Sequence, residues 1–286
     1  MDSRTYIFIY PIKTSADLPT DFHPRTADIS FDKGVFLPQD DSNWFTRPPK
    51  YPARLLLLNA HSLYIVPHPT SEQPVVELKL DELVQLETGS ALLRGWIRFA
   101  GMACVQELIY NTRASRPLDQ FLGTLKARWL ERFPEKPNAP IRLYGEALDI
   151  KFKYSLEYEL IGTERPLVRF FQAPLVFEKR FLFFKREHSH PGNLILLTSA
   201  NRLIWITDGF KNRRELYAIT SFSIPIQAFQ SWRIEQVEAD FFLELSFDAG
   251  LRWRMLLRQP ADQFGRELDE VAKSKASFTT RAVSSG

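Results

Sequence analysis

Part of this 286-residue chain is written twice, and that constrains its fold more than any other feature. Leu55-Leu56-Leu57-Leu58 followed by Leu63-Tyr64-Ile65-Val66 matches Leu194-Ile195-Leu196-Leu197 followed by Leu203-Ile204-Trp205-Ile206. A proline precedes each copy, Pro52 and Pro191. Downstream, Pro117-Leu118-Asp119-Gln120-Phe121 matches Pro260-Ala261-Asp262-Gln263-Phe264, and Leu125 matches Leu268. The offsets between copies, about 139 and 143 residues, are nearly equal. Two units of similar length therefore share one order, a strand pair first and a helix last. Apolar runs joined by a polar turn such as Asn59-Ala60-His61-Ser62 read as a hairpin.

The length accommodates two domains of ordinary size. A hydrophobic fraction of 44% and a charged fraction of 25% are those of a globular chain. Aromatics make up 13%, with 23 Phe, which suits small β-rich domains where few core positions must bury much area. A net charge of +3 is too small to argue for nucleic acid. The one cysteine, Cys104, excludes an intramolecular disulfide framework and a multi-cysteine metal site. Among Ala100, Met102, Ala103 and Val105 it is expected to be a buried structural thiol. Residues 1–10 lack a secretory pattern, and charges such as Arg202 and Lys211 break the apolar runs well short of the ~20 residues that span a bilayer. The expected location is the cytoplasm, with peripheral attachment at the inner membrane surface as the alternative.

Along the chain, residues 1–49 read as an N-terminal arm, mostly irregular, with strands expected at 4–12 and 29–36 and with Trp44 and Phe45 packing on a neighbour. The first unit covers 50–134. Its strands are expected at 55–58, 63–66, 75–80, 96–99 and 105–110, with Gly89-Ser90 breaking the chain between them. Residues 81–86 fit a helical turn and a bent strand alike. Leu118, Phe121, Leu122, Leu125, Trp129 and Phe133 then form one helical stripe opened by Pro117. A connecting segment covers 135–162. Leu148, Phe152, Leu156 and Leu160 recur every fourth residue there, while Ile150, Phe152, Tyr154 and Tyr158 also alternate. The spacing leans to a helix over 146–161 that ends with Gly162 at the position after the C-cap. The second unit covers 163–276, with strands at 167–171, 181–184, 194–197, 203–207, 214–217, 219–226, 232–237, 241–247 and 253–257. Its last helix carries Phe264, Leu268 and Val271. A polar tail covers 277–286.

Leu196-Leu197-Thr198 and Arg202-Leu203-Ile204-Trp205-Ile206-Thr207, with Gly162-Thr163-Glu164 before them, resemble the strand–turn–strand signature of bacterial pleckstrin-homology-like (PH-like) domains. The first unit departs from that pattern, with Asn59 for the Thr and Ser62 for the Arg. The resemblance covers about two thirds of the chain. It implies a mainly β (α+β) fold of two tandem PH-like barrels, each a set of strands followed by a C-terminal capping helix. Members of that superfamily bind lipid head groups, peptides or other proteins, so the resemblance does not select a ligand.

No phosphate-binding glycine loop, His-Glu-x-x-His or Gly-x-Ser-x-Gly pattern is present. The chain is expected to be no enzyme and to need no cofactor. His188 and His190 beside Glu187 form a weak metal pattern, and a polar turn explains them as well. The strongest candidates are basic. Lys211, Arg213 and Arg214 follow the Asp208-Gly209 turn, and clustered cations on a loop hold phosphates by charge-assisted hydrogen bonds. Lys179, Arg180, Lys185 and Arg186 flank the aromatic run 181–184, a pattern suited to an anionic membrane interface. With Arg202 these are eight basic residues against Glu178, Glu187 and Asp208. A hairpin with solvated basic ends and core phenylalanines accounts for the same residues. Trp96, Trp205, Trp232 and Trp253 fall in expected strands and read as packing residues. The expected function is a non-catalytic interaction module that binds a protein partner or forms a homo-oligomer. An anionic lipid or phosphate binder is the alternative, and nucleic acid is not expected.

Overall fold

A computed structural model describes residues 8–39, 52–91, 94–102, 104–112, 115–131, 141–181, 184–208, 218–237, 240–257 and 262–270, with the backbone alone for 175–181 and 184–189. The chain is mainly β and divides into two compact units, Met1–Leu83 with Thr88–Arg132, and Val84–Glu87 with Phe133–Gly286.

In the first unit, β1 (Tyr10–Ile12), β2 (Lys33–Leu37), β3 (Arg54–Leu58), β4 (Ser62–Pro67) and β5 (Val76–Lys79) lie side by side in chain order, antiparallel throughout. The hairpin read from the leucine run is β3–β4, with Leu55 opposite Val66 and Leu58 opposite Leu63. Four consecutive leucines do not alternate, and all four are buried, because β3 is covered on both faces. Leu55 and Leu57 face a cluster with Ile12, Phe22, Phe36 and Val66. The strand expected within 29–36 is β2. It belongs to this core, since Phe36 is fully buried and meets Phe22 edge-on at 6.1 Å between ring centres. Phe22 ends a 3-10 turn that leads into the short helix α1 (His23–Thr26). Trp44, Phe45 and the first residues of the strand expected at 4–12 lie outside the described residues.

Three further strands follow, β6 (Leu83–Ala91), β7 (Arg94–Gly101) and β8 (Val105–Asn111), neighbours in that order. The segment 81–86, open between helix and strand, leads into β6, where residues 83–87 are all buried. Gly89-Ser90 does not end that strand. The Trp96 ring of β7 lies over Gly89, and a Cβ there would come 2.1 Å from it. This glycine makes room for a cross-strand aromatic ring, which is a second use of glycine in strands besides turning the chain. The closing helix α2 (Arg116–Glu131) buries Leu118, Phe121, Leu122, Leu125 and Trp129, the stripe expected from their spacing. It lies against β1 and β2.

Near its C-terminal end, Arg128 donates Nη1 and Nη2 to the two Asp32 carboxylate oxygens, both at 2.8 Å. The hydrogen bonds from Arg128, and then its charge, hold the Asp32 carboxyl below its ordinary value of 3.8. Because the folded-state pKa is lowered, this pair stabilises the fold above that ordinary value and is lost as pH falls through the lowered one. The Asp32 side chain is 57% exposed, so solvent screening keeps the contribution below about 1 kcal/mol. Asp32→Asn should flatten the acid limb of a stability-against-pH curve and leave the neutral limb lower by that amount. An unchanged acid limb would show that Asp32 carries no linkage.

In the second unit, β9 (Arg142–Gly145) and helix α3 (Ile150–Glu159) precede β10 (Pro166–Gln172), β11 (Leu175–Phe181), β12 (Phe184–His190), β13 (Asn193–Thr198), β14 (Arg202–Thr207), β15 (Ile219–Pro225), β16 (Phe229–Val237), β17 (Asp240–Phe247) and β18 (Arg252–Leu257). A last helix, α4, covers residues 262–270. One sheet runs β15-β14-β13-β10-β9, antiparallel except for β9, which pairs parallel to β10. A second sheet is β16-β17-β18, and β11-β12 pair only with each other.

The segment expected to be helical over 146–161 holds helix α3 over the shorter range Ile150–Glu159. Asp149 caps it by accepting from the Phe152 N–H at 2.9 Å. Leu148, Phe152, Leu156 and Leu160 pack with Leu194, Leu196, Ile204 and Ile206 on one face of the sheet. Ile195, Leu197 and Leu203 face the opposite core with Leu243, Leu245, Trp253, Phe264 and Leu268. So β13 is buried on both sides, which is why its sequence is an unbroken apolar run. Gly162 does not follow the C-cap as expected. The helix ends at extended Leu160, and Gly162, with φ +55°, sits in the turn closed by Glu164 N donating to Ile161 O. The strand expected at 181–184 is instead the end of a ribbon, with Phe181 opposite Phe184.

The two units share one plan. Four antiparallel strands in series, β2-β3-β4-β5 or β10-β13-β14-β15, precede three more, β6-β7-β8 or β16-β17-β18, and then a helix. The matched helix positions Phe121 and Phe264, and Leu125 and Leu268, are all buried. The expected barrels are not found. The sheets are open among the described residues and end on short edge strands such as β5 and β9, four residues each, that pair on one side only.

Candidate functional site

The residues that carry the sequence signature meet in the interior. Arg202 is fully buried. Its Nε donates to Glu164 Oε1 at 2.7 Å and its Nη2 to Oε2 at 2.5 Å. Thr198 Oγ1 donates to Oε1 at 2.5 Å, and Ile161 N to Oε2 at 3.1 Å. The guanidinium also reaches the Glu159 carbonyl at 2.6 Å and Ser223 Oγ at 3.0 Å. One planar fork therefore ties the end of α3, the turn before β10, and β13 to β15. The correction is that Arg202 adds nothing to a basic surface, because its charge is matched and out of solvent. The first unit solves the same turn locally. Asn59 Oδ1 accepts from the N–H groups of His61 and Ser62 at 2.9 and 2.7 Å, an Asx turn needing no ion pair.

With the signature assigned to folding, the candidate site is the ribbon β11–β12. Its register places Lys179 opposite Arg186 and Arg180 opposite Lys185, with Glu178 opposite Glu187. The register thus pairs, two and two, the four basic residues that the sequence singles out at 179–186. Like charges directly across an antiparallel pair are destabilising, and a two-stranded hairpin alone is marginal in water. The ribbon rises where β10 and β13 end, at the pair Gln172 and Asn193. At its base Gly192 N donates to Asp208 Oδ1 at 2.5 Å, and Thr207 Oγ1 to the Gly192 carbonyl at 3.0 Å. A Cβ at Gly192 would press on Pro174 and Phe152 at 3.0 and 3.1 Å, so only glycine fits this approach without a shift. Asp208 also pairs with Lys151 of α3 at 3.3 Å.

Lys211, Arg213 and Arg214 lie outside the described residues. His188 stands opposite Phe177 and His190 opposite Leu175. Among the described residues no three His, Cys, Asp or Glu side chains gather as metal ligands. Cys104 is half-exposed, not the buried thiol expected, because it lies in the turn between β7 and β8. The tryptophans do pack: Trp205 stacks on Phe222 at 4.8 Å and lies 5.6 Å from Trp253, and Trp232 covers Gly265 of α4.

One surface was not singled out from sequence. Ile150, Tyr154 and Tyr158 are 69%, 66% and 62% exposed, on the side of α3 away from its buried stripe. The signal was there in their four-residue spacing, but it overlaps the buried stripe of the same helix. No helix among the described residues is long and apolar enough to cross a membrane. No protein-family model matches the chain, and no curated protein matches it either.

Proposed function

We propose that the protein is a non-catalytic interaction module built of two PH-like units, and that it acts by binding a protein partner or a second copy of itself. The carrying observation is the repeated plan of four strands, three strands and a helix, in which the distinctive polar residues Glu164, Thr198 and Arg202 are used up by the fold. This leaves surfaces as the means of action. Sedimentation velocity over a wide concentration range, followed by capture with the intact chain, tests it. A monomer that retains no partner would count against the reading.

A second reading has its own support. The ribbon holds four cations in two opposed pairs, a placement that an anionic surface relieves. With aromatic residues at the tip beyond the pairs, where Phe181 stands opposite Phe184, that surface is an anionic membrane interface. Co-sedimentation with anionic and neutral vesicles separates the two readings. The membrane reading predicts binding to anionic vesicles alone, weaker at physiological salt than at low salt. Replacing Lys179, Arg180, Lys185 and Arg186 by Ala should weaken it by on the order of a hundredfold or more, since each cation near such a surface contributes about 1 kcal/mol. Changing Lys211, Arg213 and Arg214 to Ala should weaken it further. Equal binding to neutral vesicles, or none at either salt, would remove this reading.

A further inference from the structure

We infer that the exposed face of α3 is a homodimer contact, in which two copies pair their α3 helices antiparallel about a two-fold axis near Tyr154. The inference rests on the interaction-module reading and names its partner as a second copy of this chain.

Five of the ten exposed large hydrophobic residues of the described chain, Ile141, Leu143, Ile150, Tyr154 and Tyr158, fall within one stretch of 18 residues. Ile141 and Leu143 belong to β9 and the residue before it, and the other three share one helix, where a contiguous apolar patch marks an interaction surface while single exposed apolar residues are ordinary. On α3 they are Ile150, Tyr154 and Tyr158, at i, i+4 and i+8, one continuous stripe. The opposite stripe, with Phe152 and Leu156, already covers the sheet.

The charges select the occupant. Lys153 and Glu157 are exposed and lie along the same border of the stripe, the base toward the helix N-terminus and the acid toward the C-terminus. Neither has an ion-pair partner among the described residues, and lysine four residues before glutamate is the weaker order for pairing within one helix. Set antiparallel against its own copy, the same border faces itself with the order reversed. Lys153 then meets the second copy's glutamate, its own Glu157 meets the second copy's lysine, Tyr154 meets Tyr154, and Ile150 packs between them against Tyr158. One patch complements itself, as an isologous contact requires. Opposed helix dipoles add to the match. On the other border Lys151 is held by Asp208 and does not disturb it.

The test uses the full chain in sedimentation equilibrium. The wild type should dimerise reversibly. K153E and E157K, each placing like charges across the axis, should dimerise about tenfold more weakly. Mixing K153E with E157K should restore dimers, because the acidic border of one then meets the basic border of the other, and the double variant K153E/E157K should dimerise like the wild type. Y154D should weaken the dimer by on the order of a hundredfold, as a central aromatic anchor does. All these positions are exposed, and unchanged circular dichroism checks the fold. A dimer indifferent to every substitution would overturn this face while leaving self-association in place. A monomer at all concentrations would overturn the proposal, and the module reading would then be decided by partner capture alone.

Discussion

Arg202→Ala should destabilise the second unit by about 3–5 kcal/mol, the cost of leaving a buried ion without its partner. Glu164 would remain inside with its two oxygens served only by Thr198 and the Ile161 N–H. The same change strips the Glu159 carbonyl and the Ser223 hydroxyl of a donor. Denaturant unfolding read by tryptophan fluorescence measures the loss, because Trp205 and Trp253 report the core on the other face of the same sheet. Arg202→Lys should recover little, since a point charge cannot reproduce two parallel hydrogen bonds to a carboxylate. Replacing both partners, Arg202→Met with Glu164→Leu, should recover most of the stability, because no charge is then stranded. A single Arg202→Ala variant within 1 kcal/mol of wild type, taking ~1 as the range of an exposed pair, would show that the cluster does not hold the turn to the sheet.

Trp129→Ala should cost the first unit about 3–5 kcal/mol. The indole is fully buried at the end of the α2 stripe, and its Nε1 donates to the Leu83 carbonyl at 3.0 Å. Truncation therefore opens a cavity and removes a buried hydrogen bond. Trp129→Phe separates these two effects. It keeps most of the apolar volume and should cost about 1 kcal/mol for the lost hydrogen bond, plus a smaller amount for the missing volume. Amide hydrogen exchange along α2 and at the start of β6 reads where the damage falls. Full protection of α2 in the alanine variant would mean that the helix is held by something other than its apolar stripe.

Much of the fold was legible because periodicity is a local property. The hairpins β3–β4 and β13–β14 followed from apolar runs and turn residues, and α2 from its stripe. Where two periods overlapped, as in 146–161, the decision lay in which residues had a sheet to cover, and Phe152 with Leu156 found one. Glycine misled twice for the same reason. Gly89 and Gly162 resemble chain breaks, yet one makes room for Trp96 and the other shapes a turn beyond the helix. Closure of the sheets was not legible either, since it depends on whether edge strands find each other.

The candidate site divides in the same way. That 179–186 forms a basic, aromatic segment is a matter of composition. That Lys179 stands opposite Arg186 and Arg180 opposite Lys185 is a matter of register, which no composition reveals. The duplication can be read by matching two distant stretches of sequence, and the strand and helix periods follow from neighbours a few residues apart. The tertiary structure alone decided which charges are surface and which are interior. Arg202 and Glu164 stand 38 residues apart, and a charge can leave water only where another element brings its counterpart. It also decided that α3 covers a sheet with its Phe152 and Leu156 stripe and leaves Ile150, Tyr154 and Tyr158 exposed on its other side, because a helix can lay only one of its faces on a sheet.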